Sequence, residues 1–175
     1  SKGTQSRGSG EIILWEGKCV DVGDWAEFLG WYISEGSATG TRGGKIQVPG
    51  RGYSVYISKD RRVHGENCDR IGDVLDRLGF KWWYNGRSFV ISLMALWKKL
   101  RPLGHSGQKY IPRQILKQSK EVMGRMWETL VLGDGWTHKG QDIYSTISPR
   151  LASDVSELLC LMGISNNTYT REPTD

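Results

Sequence analysis

The sequence predicts an α+β fold made of two similar halves, and three observations carry that prediction. Two strongly apolar helices are expected at residues 24–36 and 119–135, and each ends on an acid followed by glycine. A strand-rich stretch follows each helix. A further helix then stops at a glycine, where DVLDRLGF at 73–80 matches ELLCLMGI at 157–164 in pattern. The repeated order indicates a pseudo-two-fold protein built by duplication.

The first half begins with the helix over 24–36 (DWAEFLGWYISEG), which is apolar around most of its circumference and should therefore be buried. The strands and helices that follow it are predicted, in order, at residues 45–48, 53–58, 64–78, 80–84, 88–93 and 94–103. The sequence Asn-Gly-Arg between the last two strands predicts a hairpin turn.

The second half is predicted to contain the helix over 119–135, a strand-like stretch at 142–148 and a helix over 149–162. Only twelve residues follow Gly163, enough for one strand and a turn, so the last strand and the closing helix of the first half have no counterpart and the second half is expected to be truncated. The predicted domain divisions are 1–23, 24–116 and 117–175. The first of these is interpreted as a flexible leader or a seam to a splicing domain, with an ordinary edge strand over 11–21 as the alternative.

Positive charge is concentrated in the middle of the chain. The formal net charge is +5, but residues 36–113 hold 15 Lys and Arg against 5 Asp and Glu, between acidic flanks. This pattern indicates a polyanion-binding surface, although solvated strand and helix faces would give the same composition. No apolar run approaches the roughly 20 residues that cross a bilayer, and no secretory pattern is present. We therefore expect a cytoplasmic or nucleoid-associated protein that is not secreted and has no membrane partner.

The cysteine pattern argues against a structural metal. Cys19, Cys68 and Cys160 are widely spaced, and no CxxC pair occurs. The three histidines form no ligand-spaced cluster with them, so a zinc site is not predicted and reduced thiols are expected.

Both long apolar helices end in similar nine-residue patterns, FLGWYISEG at 28–36 and WETLVLGDG at 127–135. These resemble the LAGLIDADG motif of homing endonucleases, with Glu in place of Asp in the first and Thr in place of a Gly in the second. The motif's small positions are occupied by the helix-interface candidates Gly30, Ser34, Thr129 and Gly133. Small residues let two helices approach closely, which would bring their terminal acids together. The alternative is two core helices that each end at an acid–glycine cap.

Two further segments resemble blocks found in endonuclease domains carried by inteins. GQKYIPRQIL at 107–116 resembles the Lys-x-Ile-Pro block that precedes the second motif, and YSTISPRLASDVSELLCLMGI at 144–164 resembles the block that follows it. The resemblance implies a two-motif, monomeric enzyme with an αββαββα fold in each half, two helices at the centre and β-sheet saddles for DNA. Nothing resembles the splicing blocks of inteins, so protein splicing is not predicted.

The resemblance implies that Glu35, Asp134 and Lys109 are catalytic. Two carboxylates at neighbouring helix C-termini repel each other, and Mg²⁺, which prefers oxygen ligands, would compensate that repulsion. The metal site is assigned to both acids and to the glycines that follow them, Gly36 and Gly135, with Mn²⁺ or Ca²⁺ able to substitute for binding. Lys109 would polarise the attacking water or stabilise charge at phosphorus; a phosphate-contacting or surface lysine is the alternative.

Alternate strand residues are expected to face DNA, where Arg, Lys and Gln read base edges. The candidates in the first half are Arg42, Lys45, Gln47, Arg51, Tyr53, Tyr56, Ser58, Lys59, Lys81, Trp83, Asn85 and Arg87. Those in the second half are His138, Lys139, Gln141, Asn167, Tyr169 and Arg171. A period of two means that about half of them point away. Of the adjacent Trp82 and Trp83, one should pack under a helix and the other should face DNA or solvent.

The sequence therefore predicts a site-specific, intein-derived endonuclease that hydrolyses double-stranded DNA at a long, asymmetric target with a divalent metal. The resemblance implies short 3′ overhangs. A catalytically inactive, sequence-specific DNA-binding module on the same fold is the alternative. A third possibility, an RNA-intron maturase, would need a broader basic surface.

Overall fold

Residues 10–40 and 52–171 are described in this computed structural model. Within those ranges the chain forms five α-helices and eight β-strands, and every strand pair is antiparallel. The predicted α+β class is therefore confirmed. No helix in the described part of the chain combines the length and hydropathy that a membrane span requires.

The two motif helices lie side by side at the centre of the molecule. Helix α1 spans Val22–Glu35 and helix α4 spans Lys120–Asp134, close to the predicted bounds. Each has a side-chain N-cap, from Asp21 in α1 and Ser119 in α4, which satisfies a backbone N–H that the helix leaves free. Helix α1 is buried along nearly its whole length, as its apolar circumference predicts.

Helices α1 and α4 run parallel, and small residues set how closely they approach. A methyl group on Gly30 would overlap the hydroxyl group of Thr129 and lie 2.8 Å from the carbonyl oxygen of Met126. Further along, a methyl group on Gly133 would overlap Ser34. Any larger side chain at either glycine would push the helices apart, so these positions hold the C-terminal ends of the two helices together.

A four-stranded antiparallel sheet lies beside α1. Its strands are β3 (Gly36–Thr39), β4 (Ser54–Ser58), β5 (Trp83–Tyr84) and β6 (Ser88–Ile91), in the order β3-β4-β6-β5. Helices α2 (Gly65–Arg77) and α3 (Met94–Leu100) complete this region. The inner sheet face carries Val55, Ile57, Phe89 and Ile91 into the core. The strand predicted at 45–48 lies outside the described residues.

The region after α4 is smaller. Strands β7 (Gly135–His138) and β8 (Gln141–Tyr144) form a hairpin, and helix α5 spans Pro149–Met162 and ends at Gly163, which has a φ of +84°. The strand-like stretch predicted at 142–148 thus begins one residue earlier and ends four residues earlier. Residues 164–171 form neither helix nor strand.

The segment before α1 differs from the flexible leader or seam assigned to residues 1–23. Strands β1 (Glu11–Trp15) and β2 (Lys18–Asp21) form a hairpin. The ring of Trp15 stacks on Phe80 with centroids 6.3 Å apart, and Lys18 Nζ donates to the carbonyl oxygen of Leu78 at 2.5 Å. The alternative of an ordinary strand is closer to what the structure shows, because Leu14 and Val20 of this segment are buried in the core.

An ion-pair network joins α1, α2 and α4 near the N-terminal ends of the two central helices. At its centre is Glu27, whose side chain is only 5% exposed. Three arginines contact its carboxylate: Arg70 at 2.9 Å, Arg77 at 2.9 Å and Arg125 at 2.7 Å. The same guanidinium groups also pair with Asp24 and Glu128. We call this set of residues the arginine cluster.

Candidate active site

The acids that end the two central helices lie at the same end of the helix pair. Glu35 is the last residue of α1 and Asp134 is the last residue of α4. Asp134 keeps an open face to solvent, but the protein on its other side removes hydration and raises the pKa of its carboxyl group to about 6. The negative charge of Glu35 adds to this rise, and Lys59 and Lys109 oppose it.

Lys59 is one of the residues assigned to DNA contact, but the structure gives it a different position. It is 7% exposed and follows β4 directly. Its Nζ donates to Glu35 Oε1 at 2.5 Å and to the carbonyl oxygens of Leu132 at 3.3 Å and Gly133 at 3.4 Å. One buried ammonium group therefore links the terminal acid of α1 to the C-terminal end of α4, where the helix dipole favours positive charge.

The backbone of Lys59 is held by a tyrosine from the neighbouring hairpin. The hydroxyl group of Tyr84 donates to the carbonyl oxygen of Lys59 at 2.9 Å and accepts from the backbone N–H of Arg61 at 3.1 Å. The thiol of buried Cys68 lies 3.6 Å from the same carbonyl oxygen. These contacts fix where the chain turns after β4, and sequence reasoning missed Tyr84 because its partner lies 25 residues earlier.

Lys109 reaches the same helix ends from the segment between the two motifs. It is 2% exposed, and its Nζ donates to the carbonyl oxygens of Tyr32 and Gly36, both at 3.0 Å. The Nζ also lies 3.7 Å from the centroid of the Tyr32 ring. Burial lowers the pKa of Lys109 to about 8, with Asp134 partly opposing the change. Lys109 thus stabilises the C-terminal end of α1.

The segment around Lys109 is anchored to helix α5. The carbonyl oxygen of Lys109 accepts from Ser148 Oγ at 2.7 Å, and the backbone N–H of Ile111 donates to Asp154 Oδ2 at 2.9 Å. Ser148 also caps α5, because its Oγ accepts from the backbone N–H of Leu151 at 3.2 Å. The two segments that resemble intein blocks therefore contact each other, and together they set the position of the lysine.

The candidate metal ligands are few. Among residues 10–40 and 52–171, no group of three or more His, Cys, Asp or Glu side chains is placed to hold a metal. Glu35 and Asp134 are thus a pair without a third protein carboxylate. The carbonyl oxygen of Gly36 accepts from Lys109, and Gly135 begins β7 opposite Tyr144.

The other candidates for DNA contact in the first half fall into three groups. Arg42, Lys45, Gln47 and Arg51 lie outside the described residues. Tyr56, Ser58, Lys81, Trp83, Asn85 and Arg87 have side chains that reach the surface of the sheet or its hairpin turn. Tyr53 packs on Trp97, with ring centroids 4.8 Å apart. As expected, the two adjacent tryptophans diverge: Trp82 donates to Asp76 of α2 at 2.8 Å, whereas Trp83 is 50% exposed.

The candidates after α4 are all exposed. His138, Lys139 and Gln141 lie at the turn of the β7–β8 hairpin, where Lys139 has a positive φ of 51°. Asn167, Tyr169 and Arg171 follow α5 in a stretch without regular structure, and Tyr169 is 81% exposed. Exposure leaves these side chains free to contact a ligand but does not by itself identify one.

The sequence is similar to parts of two much longer proteins, and no family model matches it. It is 26% identical over 151 residues to an ATP-dependent Clp protease proteolytic subunit of Chlamydomonas moewusii. It is 30% identical over 154 residues to a DNA polymerase of Thermococcus sp. (strain GE8). Each match covers 83% of this chain but only 15% and 8%, respectively, of those proteins.

The fold is similar to that of I-DmoI, a LAGLIDADG homing endonuclease. The solved structure is a variant of I-DmoI in complex with its target DNA in the presence of 2 mM Mn. The TM-score is 0.53 at 15% sequence identity, and the match covers 81% of this chain and 76% of that chain. At this identity the likeness concerns the fold.

Proposed function

We propose that this chain is a LAGLIDADG-type homing endonuclease that hydrolyses both strands of a long, asymmetric DNA target and requires a divalent metal, with Mg²⁺ as the physiological ion. We further propose that it acts as a monomer with two motifs, one in each of two related halves, and that it derives from an intein. Glu35 and Asp134 are the metal-binding acids of this proposal.

One observation carries the proposal: two acids and two buried lysines meet where the parallel helices α1 and α4 end. Lys59 and Lys109 come from different segments, and neither is near Glu35 or Asp134 in sequence. Collecting like charges at a partly dehydrated helix end costs stability, as the raised pKa of Asp134 shows. Strongly perturbed groups that gather in this way are typical of catalytic sites.

The donor chemistry of the site fits a hard divalent cation. Mg²⁺ needs only one or two protein carboxylates because it retains waters and takes phosphate oxygens from a substrate. Glu35 and Asp134 would supply those carboxylates, and a dication would favour the ionised form of Asp134 that the fold disfavours. When bound, such an ion would lower the pKa of an attacking water and stabilise the leaving oxygen.

The lysines have separate tasks in this proposal. Lys109, whose Nζ lies at the C-terminal end of α1, would polarise the attacking water or stabilise charge at phosphorus. Lys59, through its ion pair with Glu35 and its contact with the Leu132 carbonyl oxygen, holds the ends of both helices in register. DNA would lie across the outer face of the four-stranded sheet and the β7–β8 hairpin.

The two sequence relatives support a mobile, inserted origin. A protease subunit and a DNA polymerase have unrelated activities, yet each has a short segment similar to this chain. The similar segment makes up 15% or less of each of these two proteins. Its presence in both is explained if it is an inserted element that contributes to neither activity. The intein-like block around Lys109 points to the same origin.

A non-catalytic DNA-binding module is the second candidate, and one observation favours it. The 2.5 Å ion pair with Lys59 engages a carboxylate oxygen of Glu35 that a metal ion would need. If that pair persists on DNA, the site can position phosphates but cannot hold the ion.

Cleavage of a plasmid library that carries candidate insertion sites tests the proposal. We expect cutting with Mg²⁺, none with EDTA, and cutting slowed by roughly 10²–10³-fold for Glu35→Gln or Asp134→Asn. Glu121→Gln, an exposed acid in the first turn of α4, serves as the control and should cut like the native chain. Cutting by either acid variant at the native rate would contradict the catalytic assignment. Sequence-specific binding without cleavage in Mg²⁺ or Mn²⁺ would favour the DNA-binding module.

A further inference from the structure

The outer face of the four-stranded sheet has an unusual composition for a surface proposed to contact DNA. The strand register shows which residues lie on this face, because side chains that pair directly across an antiparallel sheet share a face. Hydroxyl-bearing residues dominate this face: Ser37, Thr39, Ser54, Ser58, Ser88 and Ser92. No strand residue described on this face carries a charge. The charged side chains described near it, Lys81 and Arg87, flank the β5–β6 hairpin.

A row of apolar groups crosses the centre of this face. Tyr56 of β4 pairs with Val90 of β6, and Val90 pairs with Trp83 of β5. Val90 is 2% exposed and is not part of the core cluster on the inner face, whereas Trp83 is 50% exposed. We call these three residues the apolar row. It presents a half-open tryptophan to solvent on a sheet surface that is otherwise made of small polar groups.

The hydroxyl groups around the apolar row discriminate poorly between bases. Ser58 Oγ lies 3.0 Å from Ser88 Oγ, and Ser54 Oγ lies 3.2 Å from Ser92 Oγ. A hydroxyl group can donate or accept, so serine contacts bases of either kind. In the major groove, an apolar side chain can distinguish thymine from the other bases by contacting its C5-methyl group.

The outer face is also continuous with the candidate active site. Strand β3 begins at Gly36, immediately after Glu35, and strand β4 ends at Ser58, immediately before Lys59. A duplex whose phosphate lies at the acids would therefore place neighbouring base pairs over this sheet. The face is thus positioned to contact bases on one side of the cut.

We propose that Trp83, the exposed end of the apolar row, reads thymine methyl groups in the major groove on one side of the cut and is a specificity-determining residue. This inference rests on the proposed DNA-cleaving function. According to this inference, the described strands of the sheet recognise DNA through methyl groups and shape, and charged side chains on these strands do not read the bases. It also predicts that the target contains thymine next to the cut, where the sheet contacts the bases.

Replacement of thymine by uracil tests the inference, because it removes the methyl group alone. A randomised duplex library, selected for binding by the native chain, first defines the preferred sequence. Each thymine in that sequence is then replaced by uracil. We expect one or two positions at which uracil weakens binding about fourfold, which corresponds to burial of one methyl group. That effect should vanish in Trp83→Ala.

The control is Leu161→Ala, since Leu161 is an exposed apolar residue of α5, outside the strands proposed to contact DNA. It should retain the uracil effect that Trp83→Ala loses. Equal binding of thymine and uracil duplexes at every position would overturn the inference, as would a uracil effect that survives in Trp83→Ala. Failure to enrich any duplex would instead contradict the proposed function. The uracil comparison on the native chain remains decisive if Trp83→Ala does not fold.

Discussion

The two ends of the α1–α4 helix pair carry opposite electrostatic arrangements. At the N-terminal end, the acids of the arginine cluster are paired with guanidinium groups at 2.7–2.9 Å, and Arg70 lowers the pKa of Glu128. At the C-terminal end, two acids face each other near two buried lysines, and the pKa of Asp134 rises to about 6. At one end of these helices the acids of the arginine cluster pair with guanidinium groups. At the other end Glu35 pairs with Lys59, but the ionised form of Asp134 is disfavoured.

The difference separates a structural role from a functional one. Arginine pairs rigidly with two carboxylate oxygens at once and cannot lose its proton, so the arginine cluster is suited to lock three helices together. Lysine is a point charge whose pKa shifts on burial, as that of Lys109 does. The C-terminal end of the helix pair, where two acids repel each other, is suited to bind a cation and a phosphate.

The largest expected effect is on cleavage by Asp134→Asn. Removal of one of the two proposed metal-binding carboxylates should slow single-turnover cleavage roughly 10²–10³-fold, the usual loss when one group that stabilises transition-state charge is removed. The same change should raise the free energy of unfolding, because it removes a charge that burial and the neighbouring Glu35 both disfavour. A variant that is more stable but inactive would support different roles for the two ends of the helix pair. A variant that is both less stable and inactive would contradict that difference.

Glu27→Gln should have the opposite outcome. It leaves three arginines without their shared charge partner, which should lower the free energy of unfolding by about 3 kcal/mol. Urea denaturation measures that loss, and cleavage per folded molecule should stay at the native rate. A large loss of cleavage with unchanged stability would show that the arginine cluster is not merely structural.

Tyr84→Phe tests how the position of Lys59 is maintained. Loss of the hydroxyl group removes two hydrogen bonds, which should cost about 1 kcal/mol of stability. If Lys59 must stay in register with Glu35, cleavage should fall about tenfold while DNA affinity is kept. The control Cys68→Ala removes the weaker 3.6 Å contact with the same carbonyl oxygen and should cleave at nearly the native rate.

The smallest expected effect is a pH dependence of stability that arises at the C-terminal end of the α1–α4 helix pair. In the folded chain Asp134 has a pKa of about 6, above its usual 3.8, so the folded state binds a proton that the unfolded state has released. Between these pH values the free energy of unfolding should therefore fall as pH rises, by about 1 kcal/mol because solvent screens the open face of the carboxyl group. Denaturation without metal measures this slope, and Asp134→Asn should remove it.

Local sequence signals located the helices better than the strands. Helix α5 has the predicted bounds because Ser148 caps it, Pro149 begins it and Gly163 ends it in a left-handed conformation. Strands β3 and β7 were missed, since GSAT and GWTH contain few of the apolar residues that indicate a strand. These short strands form because the helices end at Gly36 and Gly135 and direct the chain along the sheet.

By itself the sequence determined the α+β class and the two acid-terminated apolar helices, because those signals are local and periodic. Tertiary structure decided which charges surround the acids. Lys59 was expected to contact DNA and is instead buried against Glu35, and Tyr84 holds its backbone from another strand. Such positions depend on contacts between residues distant in sequence, whose burial and distance set the electrostatics, and no local pattern encodes them.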